Sequence, residues 1–218
     1  MKKRYIIIPA VIILILCLAV GIADHYLFII PRDRYSGADF NIARYYSTTD
    51  KDGDGLDDQT DIYNATLTYL ATNPKYKSKY YEGGYPNDVY GVCTDVVAFA
   101  LRDAGYDLQA LLDADIAAAP EAYPTIEKAD NNIDFRRVRN LEVYFFRHAT
   151  SLTTDIESIE DWQPGDIVTF TKHIAIISAN RDKEGRPFIL HLASPIQITY
   201  EAPLTAYKDI IVSHYRIS

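Results

Sequence analysis

The chain has almost no cysteine: two in 218 residues, alongside one methionine and one tryptophan. Cys17 falls inside an apolar run, so Cys93 stands alone in the remainder, and a disulfide-stapled scaffold is excluded. Positive charge is scarce too. Lys and Arg number 22 against 30 Asp and Glu, for a formal net charge of -8. Such a chain is poorly made for neutralising phosphates, and its one basic cluster past the N-terminus, Arg136, Arg137 and Arg139, is too small to alter that. Nucleic acid is not an expected partner. There is no internal repeat or low-complexity tract, and no short metal spacing such as Cys-x-x-Cys or His-x-x-x-His.

What is present begins with Lys2-Lys3-Arg4 and a continuous apolar run from Tyr5 to Ala23. A helix of about 20 apolar residues crosses the hydrocarbon core of a membrane. Positive charge before the run and Asp24 after it predict an N-terminus inside and the rest outside. Residues 1–24 therefore read as a single-pass membrane anchor with an extracytoplasmic C-terminal domain. The alternative is a signal segment cleaved near Gly21 and Ala23, leaving a secreted protein.

Residues 25–48 read as a juxtamembrane linker that runs into a helix near Ala38–Tyr46, and residues 49–62 as a carboxylate-rich loop. From 63 to 218 the pattern is that of one domain. Ile62, Ala65, Leu67, Leu70 and Ala71 have helical spacing, stopped by Asn73-Pro74. Val96, Val97, Ala100, Leu101 and Ala104 form a second stripe behind Cys93, with Gly105 as its stop. Helices are also expected over Leu108–Ala118 and Leu141–Ala149. Beyond Pro164-Gly165 come short β-branched runs, Asp166–Phe170, His173–Ala179, Phe188–Leu192 and Ile210–Tyr215. Helices first and antiparallel strands afterwards predict an α+β fold.

The acidic loop follows the EF-hand pattern position by position. Asp50, Asp52 and Asp54 occupy positions 1, 3 and 5, and Gly55 supplies the turn at 6. Leu56 offers its carbonyl at 7, Asp58 stands at 9 and Asp61 at 12. Oxygen donors alone suit calcium, and a structural clamp is the expected role. Asp61 in place of Glu shortens the reach and lowers the expected affinity, and a solvated acidic turn is the plainer alternative.

Cys93 opens a predicted helix after a Tyr- and Gly-rich loop, where unpaired N–H groups and the helix dipole favour thiolate. The bland alternative is a small buried hydrophobe. A nucleophilic thiol needs a base, and His173 opens an otherwise apolar strand, where a ring without a polar task would be costly. His191 is the same oddity in the next strand, and His214 reads as structural. Tyr80, Tyr81, Tyr85 and Tyr90 belong either to a cleft wall or to a tyrosine-rich surface loop.

Gly91-Val92-Cys93-Thr94-Asp95, Pro164-Gly165-Asp166-Ile167-Val168, His173-Ile174-Ala175-Ile176-Ile177 and a later His together resemble the NlpC-type papain-like cell-wall peptidases. The likeness is closer to an uncharacterised bacterial domain family of that superfamily, and it extends to Asp107-Leu108-Gln109, the stretch from Asn132 to Val138, and His214-Tyr215-Arg216. The resemblance implies a papain-like domain with Cys93 as nucleophile, His173 as base and His191 orienting it. It also implies peptidoglycan stem peptides as substrate. Tyr85, Tyr90 and Asp95 are the expected substrate-binding residues, and catalysis is expected to need no cofactor. Phe135 departs from the pattern, which often has a second His there. Two rivals remain: a zinc site of Cys93, His173 and His191, and a non-catalytic, calcium-stabilised wall-binding module.

Overall fold

The computed structural model describes residues 2–28, 30 and 32–217. The N-terminal run forms one helix, α1 (Lys2–Leu27), with the side chains of Val11, Ile13, Leu16, Leu18 and Ile22 exposed around it. Among the described residues no helix is long and apolar enough to cross a membrane. The anchor expected over 1–24 rests partly on the side chains of residues 1–8 and 10, which lie outside the described ones.

The helix expected near Ala38–Tyr46 reduces to one 3₁₀ turn, Gly37–Phe40. The segment behind it is held by the sheet instead. Tyr35 exchanges backbone hydrogen bonds with Arg181, at 3.0 and 2.8 Å. The Gln163 side chain accepts from Tyr45 N and donates to the Ala43 carbonyl. Residues expected as a linker are thus partly docked on the domain.

Four further helices follow. α2 (Asp58–Ala71) starts inside the acidic loop, because Asp57 caps it by accepting from Thr60 N. Its Ile62 is fully buried, whereas Leu67 stays exposed. α3 (Cys93–Asp103) buries Val96, Val97, Ala100 and Leu101, the expected stripe, and stops at Gly105 with φ +83°. α4 (Leu108–Ala118) has the bounds its pattern predicts, capped by Asp107. α5 (Val138–His148) begins a turn earlier than expected.

A short parallel pair, β1 (Lys75–Tyr76) and β2 (Tyr90–Gly91), leads into α3. The main sheet has six antiparallel strands: β3 (Thr150–Leu152), β4 (Ile167–Phe170), β5 (His173–Arg181), β6 (Pro187–Leu190), β7 (Glu201–Pro203) and β8 (Ile211–Arg216), in the order β3-β8-β4-β5-β6-β7. The α+β expectation holds. β3 and β7 were not expected; at three residues each they show too little alternation to read.

Period-two alternation gives each face of the sheet its own core. Ile167, Ile174, Ile176 and Leu190 pack with α2, α3 and Leu112 of α4 in the larger cluster. Val168, Phe170, Ala175, Ile177 and Ile189 pack with Trp162 and Leu204 in the smaller. Cys93 belongs to the first cluster.

Candidate active site

Cys93 is the first residue of α3, and the start of that helix is fixed by a buried ion pair. Val92 at the cap has no acceptor of its own. Asp95, three residues on, takes the Val92 N–H at 2.7 Å and receives Arg136 Nε at 2.6 Å and Nη2 at 2.9 Å. Arg136 also donates to the Lys79 carbonyl, and Thr94 Oγ1 to the Arg136 carbonyl. Both charged side chains are buried, and breaking such a pair costs about 3–5 kcal/mol. The carboxylate of Asp95, expected to bind substrate, is thus already occupied by these donors. Gly91 is needed for the approach: a Cβ there would lie 2.4 Å from Tyr69 Oη.

The two histidines meet. His173 Nε2 lies 2.8 Å from His191 Nδ1, with ring centroids 5.0 Å apart. His173 is paired across the hairpin with Phe170 and stacks on it, so its ring is on the side of the smaller core. Tyr207 packs against both imidazoles. Cys93 comes from the side of the larger core, and the backbone N–H of Ile174, the residue after His173, is directed at its sulfur. The two sides converge at the beginning of β5. Among the described residues no hydrogen bond joins the thiol to either ring.

All three groups are neutral at rest. Burial pushes the Cys93 thiol up to about 11, overcoming the N–H groups of Ile174, Thr94 and Cys93 that favour thiolate. This corrects the expectation that the helix start alone lowers its pKa. Burial holds His173 down to about 4. His191 lies at about 3, through burial first and the neighbouring His173 second.

Of the expected substrate tyrosines, Tyr85 packs over the later part of α3, on Phe99 and Phe135, with the Arg102 guanidinium above it and its hydroxyl on Asp107. Tyr85 is half-buried, and Phe135 is core. Tyr81 is likewise buried, with its hydroxyl on Asp88. Tyr80, exposed, donates to Asp130. Tyr90, half-buried three residues before Cys93 and flanked by Lys77 and Lys79, keeps a face beside the helix start.

In the acidic loop Asp50, Asp52 and Asp54 bring carboxylate oxygens within 4.8 Å of one another. Asp50 accepts from Gly53 N and Gly55 N, and Asp54 from Leu56 N. Asp58, expected as a ligand, is fully buried and committed elsewhere, accepting from Lys51 N at 2.7 Å and from the Tyr106 hydroxyl. Asp61 is 8% exposed, and among the described residues no donor reaches its Oδ2. Burial, then the charges of Asp54, Asp52, Asp50 and Asp57, raise its pKa to about 6. Residues 41–57 form no helix, so the loop is not entered from one as in a helix-loop-helix hand.

The fold and site define an α+β domain with a lone buried thiol at a helix start and an imidazole pair at the neighbouring strand ends. The chain belongs to the family described as a domain of unknown function (DUF1287), whose pattern matches residues 63–217. It is 38% identical over 135 residues to the uncharacterized protein YijF of Escherichia coli (strain K12), a match covering 58% of this chain and 64% of that relative. The chain thus matches a little under two thirds of the relative's length. No solved structure matches the chain.

Proposed function

We propose that this chain is a cysteine hydrolase of the NlpC-type papain-like kind, exported and held at a membrane by its N-terminal segment, that opens an amide bond in peptidoglycan stem peptides. The observation that carries the reading is the convergence at the start of β5: the Cys93 sulfur beside the Ile174 N–H, and the adjacent His173 bonded to His191. The substrate class comes from the sequence resemblance. The membrane comes from the charge-flanked apolar run, 5–23, and from the exposed apolar side chains of α1.

The hydrogen bond between the rings sets the tautomers. If His173 Nε2 carries the proton donated to His191 Nδ1, then His173 Nδ1 is the free base for the thiol. Cys93 Sγ attacks the amide carbonyl as its proton passes to His173 Nδ1, which then protonates the leaving amine. Water, deprotonated by the same nitrogen, opens the thioester and restores the thiol. The Cys93 backbone N–H, at an unsatisfied helix start, is the oxyanion donor. Contacts between catalytic groups in a substrate-free protein are often long and tighten only with substrate bound.

The zinc alternative fits poorly. Two nitrogens on one tetrahedral zinc, each about 2.0–2.1 Å from it, stand about 3.3 Å apart, whereas His173 and His191 approach to 2.8 Å as a hydrogen-bonded pair.

The test is digestion of peptidoglycan fragments by wild type and Cys93→Ala, read by mass spectrometry. Wild type should yield products carrying one added water per cut, and the folded variant none. The same products from both would reject the nucleophile, and none from either would leave the wall-binding module in its place.

A further inference from the structure

The acidic loop, residues 49–62, plays no part in the proposed hydrolysis. Three of its carboxylates, Asp50, Asp52 and Asp54, are gathered and exposed, which by itself is common in the absence of any ion. The fourth group is different in kind. Asp61, on the first turn of α2, is more than nine-tenths buried, and its Oδ2 has no donor among the described residues. A buried carboxylate oxygen left unpaired is costly, and this one also feels the charge of the three gathered aspartates. A cation would supply the partner Asp61 lacks and offset the like charges of the other three.

We propose that Asp50, Asp52, Asp54 and Asp61 form an oxygen-only site for a hard divalent cation of the calcium class, which clamps the loop to the first turn of α2. The neighbouring carboxylates are excluded by their partners. Asp57 caps α2, accepting from Ser47 N and from the Thr60 backbone and hydroxyl. Asp58 holds Lys51 N and the Tyr106 hydroxyl. The ligand set is therefore not the one the motif spells: position 9 is spent on packing, and position 12 keeps its role.

The clamp has a mechanical target. Asp58 ties α2 to Tyr106, just past the end of α3, and the Lys51 ammonium lies over the Tyr106 ring. A Cβ at Gly105 would meet the Asp52 backbone nitrogen at 3.1 Å, so loop and turn are already in close contact. Fixing the loop to α2 closes the joint between α2 and the helix that carries Cys93. Oxygen donors with carboxylates of limited reach suit calcium at about 10⁻⁴–10⁻³ M, and magnesium less, because it demands a tighter octahedron.

The experiment uses the full chain, stripped with EDTA, and reads melting temperature and terbium luminescence, neither of which depends on hydrolysis. At 10 mM calcium the melting temperature should rise by about 3–10 °C, and calcium should displace terbium; magnesium should do less. Asp61→Asn should abolish both responses without lowering the metal-free melting temperature, since it removes a buried charge among like charges. Asp54→Asn, at an exposed position, should weaken binding at least tenfold. Asp58→Asn should lower the melting temperature yet leave the calcium affinity within about threefold of wild type. A wild type indifferent to calcium and terbium would overturn the site. So would calcium binding that survives Asp61→Asn.

Discussion

Two sets of histidines, buried or half-buried, hang from the same sheet, and they are built in opposite ways. His214, on β8, has Nε2 3.0 Å from Asp166 Oδ2 and Nδ1 2.8 Å from the Thr153 carbonyl. Both nitrogens face oxygen partners. Trp162 stacks flat on it at 3.9 Å. Among the described residues His173 and His191 have hydrogen-bond partners only in each other, and a nitrogen-to-nitrogen bond requires one of them to accept. Among the described residues no carboxylate is bonded to that pair, so its proton can be moved. An imidazole with every partner supplied is scaffold, and one left with a free nitrogen is available for chemistry.

The widest separation between the two should appear in stability. Asp166 is fully buried and also receives Gln59 Nε2, Gln163 N and both Arg216 donors. Asp166→Ala leaves those donors without their carboxylate, at a cost of about 3–5 kcal/mol, or a fall on the order of 10 °C in melting temperature. His173→Asn should cost only about 1 kcal/mol. Thermal melts of the two variants check this, and equal losses would erase the distinction.

A smaller effect is expected with pH. Folded His173 and His191 are held at about 4 and about 3, below the 6.5 of a free imidazole. Between these values the unfolded chain binds more protons, so stability should rise with pH through this window and be lost as pH falls below 6.5. At pH 5 the loss is on the order of 2 kcal/mol for each ring. Asp61, raised to about 6, gives a slope of opposite sign in metal-free protein. The quantity to compare is thus the slope of wild type against that of His173→Asn/His191→Asn. An unchanged slope would show that the pair is not buried as neutral rings.

Part of this was legible in the sequence because the deciding contacts are local. α4 takes its bounds from a run of apolar residues, an Asp cap and a following proline, all within Asp107–Pro120. The strand-opening His173 was legible as a ring out of place in an apolar run. Asp95 was not, since its partner Arg136 is 41 residues away. A cap position filled by Val92, with a carboxylate three residues on, was the available signal. Asp166 likewise hides its role behind Arg216, 50 residues off. The helix expected near Ala38–Tyr46 failed because docking against Gln163 and Arg181, not local propensity, fixes that segment. Asp58 failed in the other direction: a motif supplied a ligand that Tyr106 had already taken.

The finest distinction is one of rate. Cys93 and His173 are both neutral at rest, the thiol at about 11 and the imidazole at about 4. Alkylation by iodoacetamide follows the thiolate fraction, so its rate at Cys93 should climb roughly tenfold per pH unit from 6 to 9, without a plateau. Cys17 is exposed, so the measurement needs a Cys17→Ser background. A plateau below pH 8 would mean that His173 Nδ1 already holds the thiol proton as an ion pair. The His173 ring would then have a partner fixed at each nitrogen, as His214 has, and the contrast between the two sets would fall. A steady climb instead places the proton transfer after substrate arrives. In that case His173→Asn should leave the resting alkylation profile nearly unchanged while removing hydrolysis, which separates a base used in the reaction from one that merely tunes the thiol.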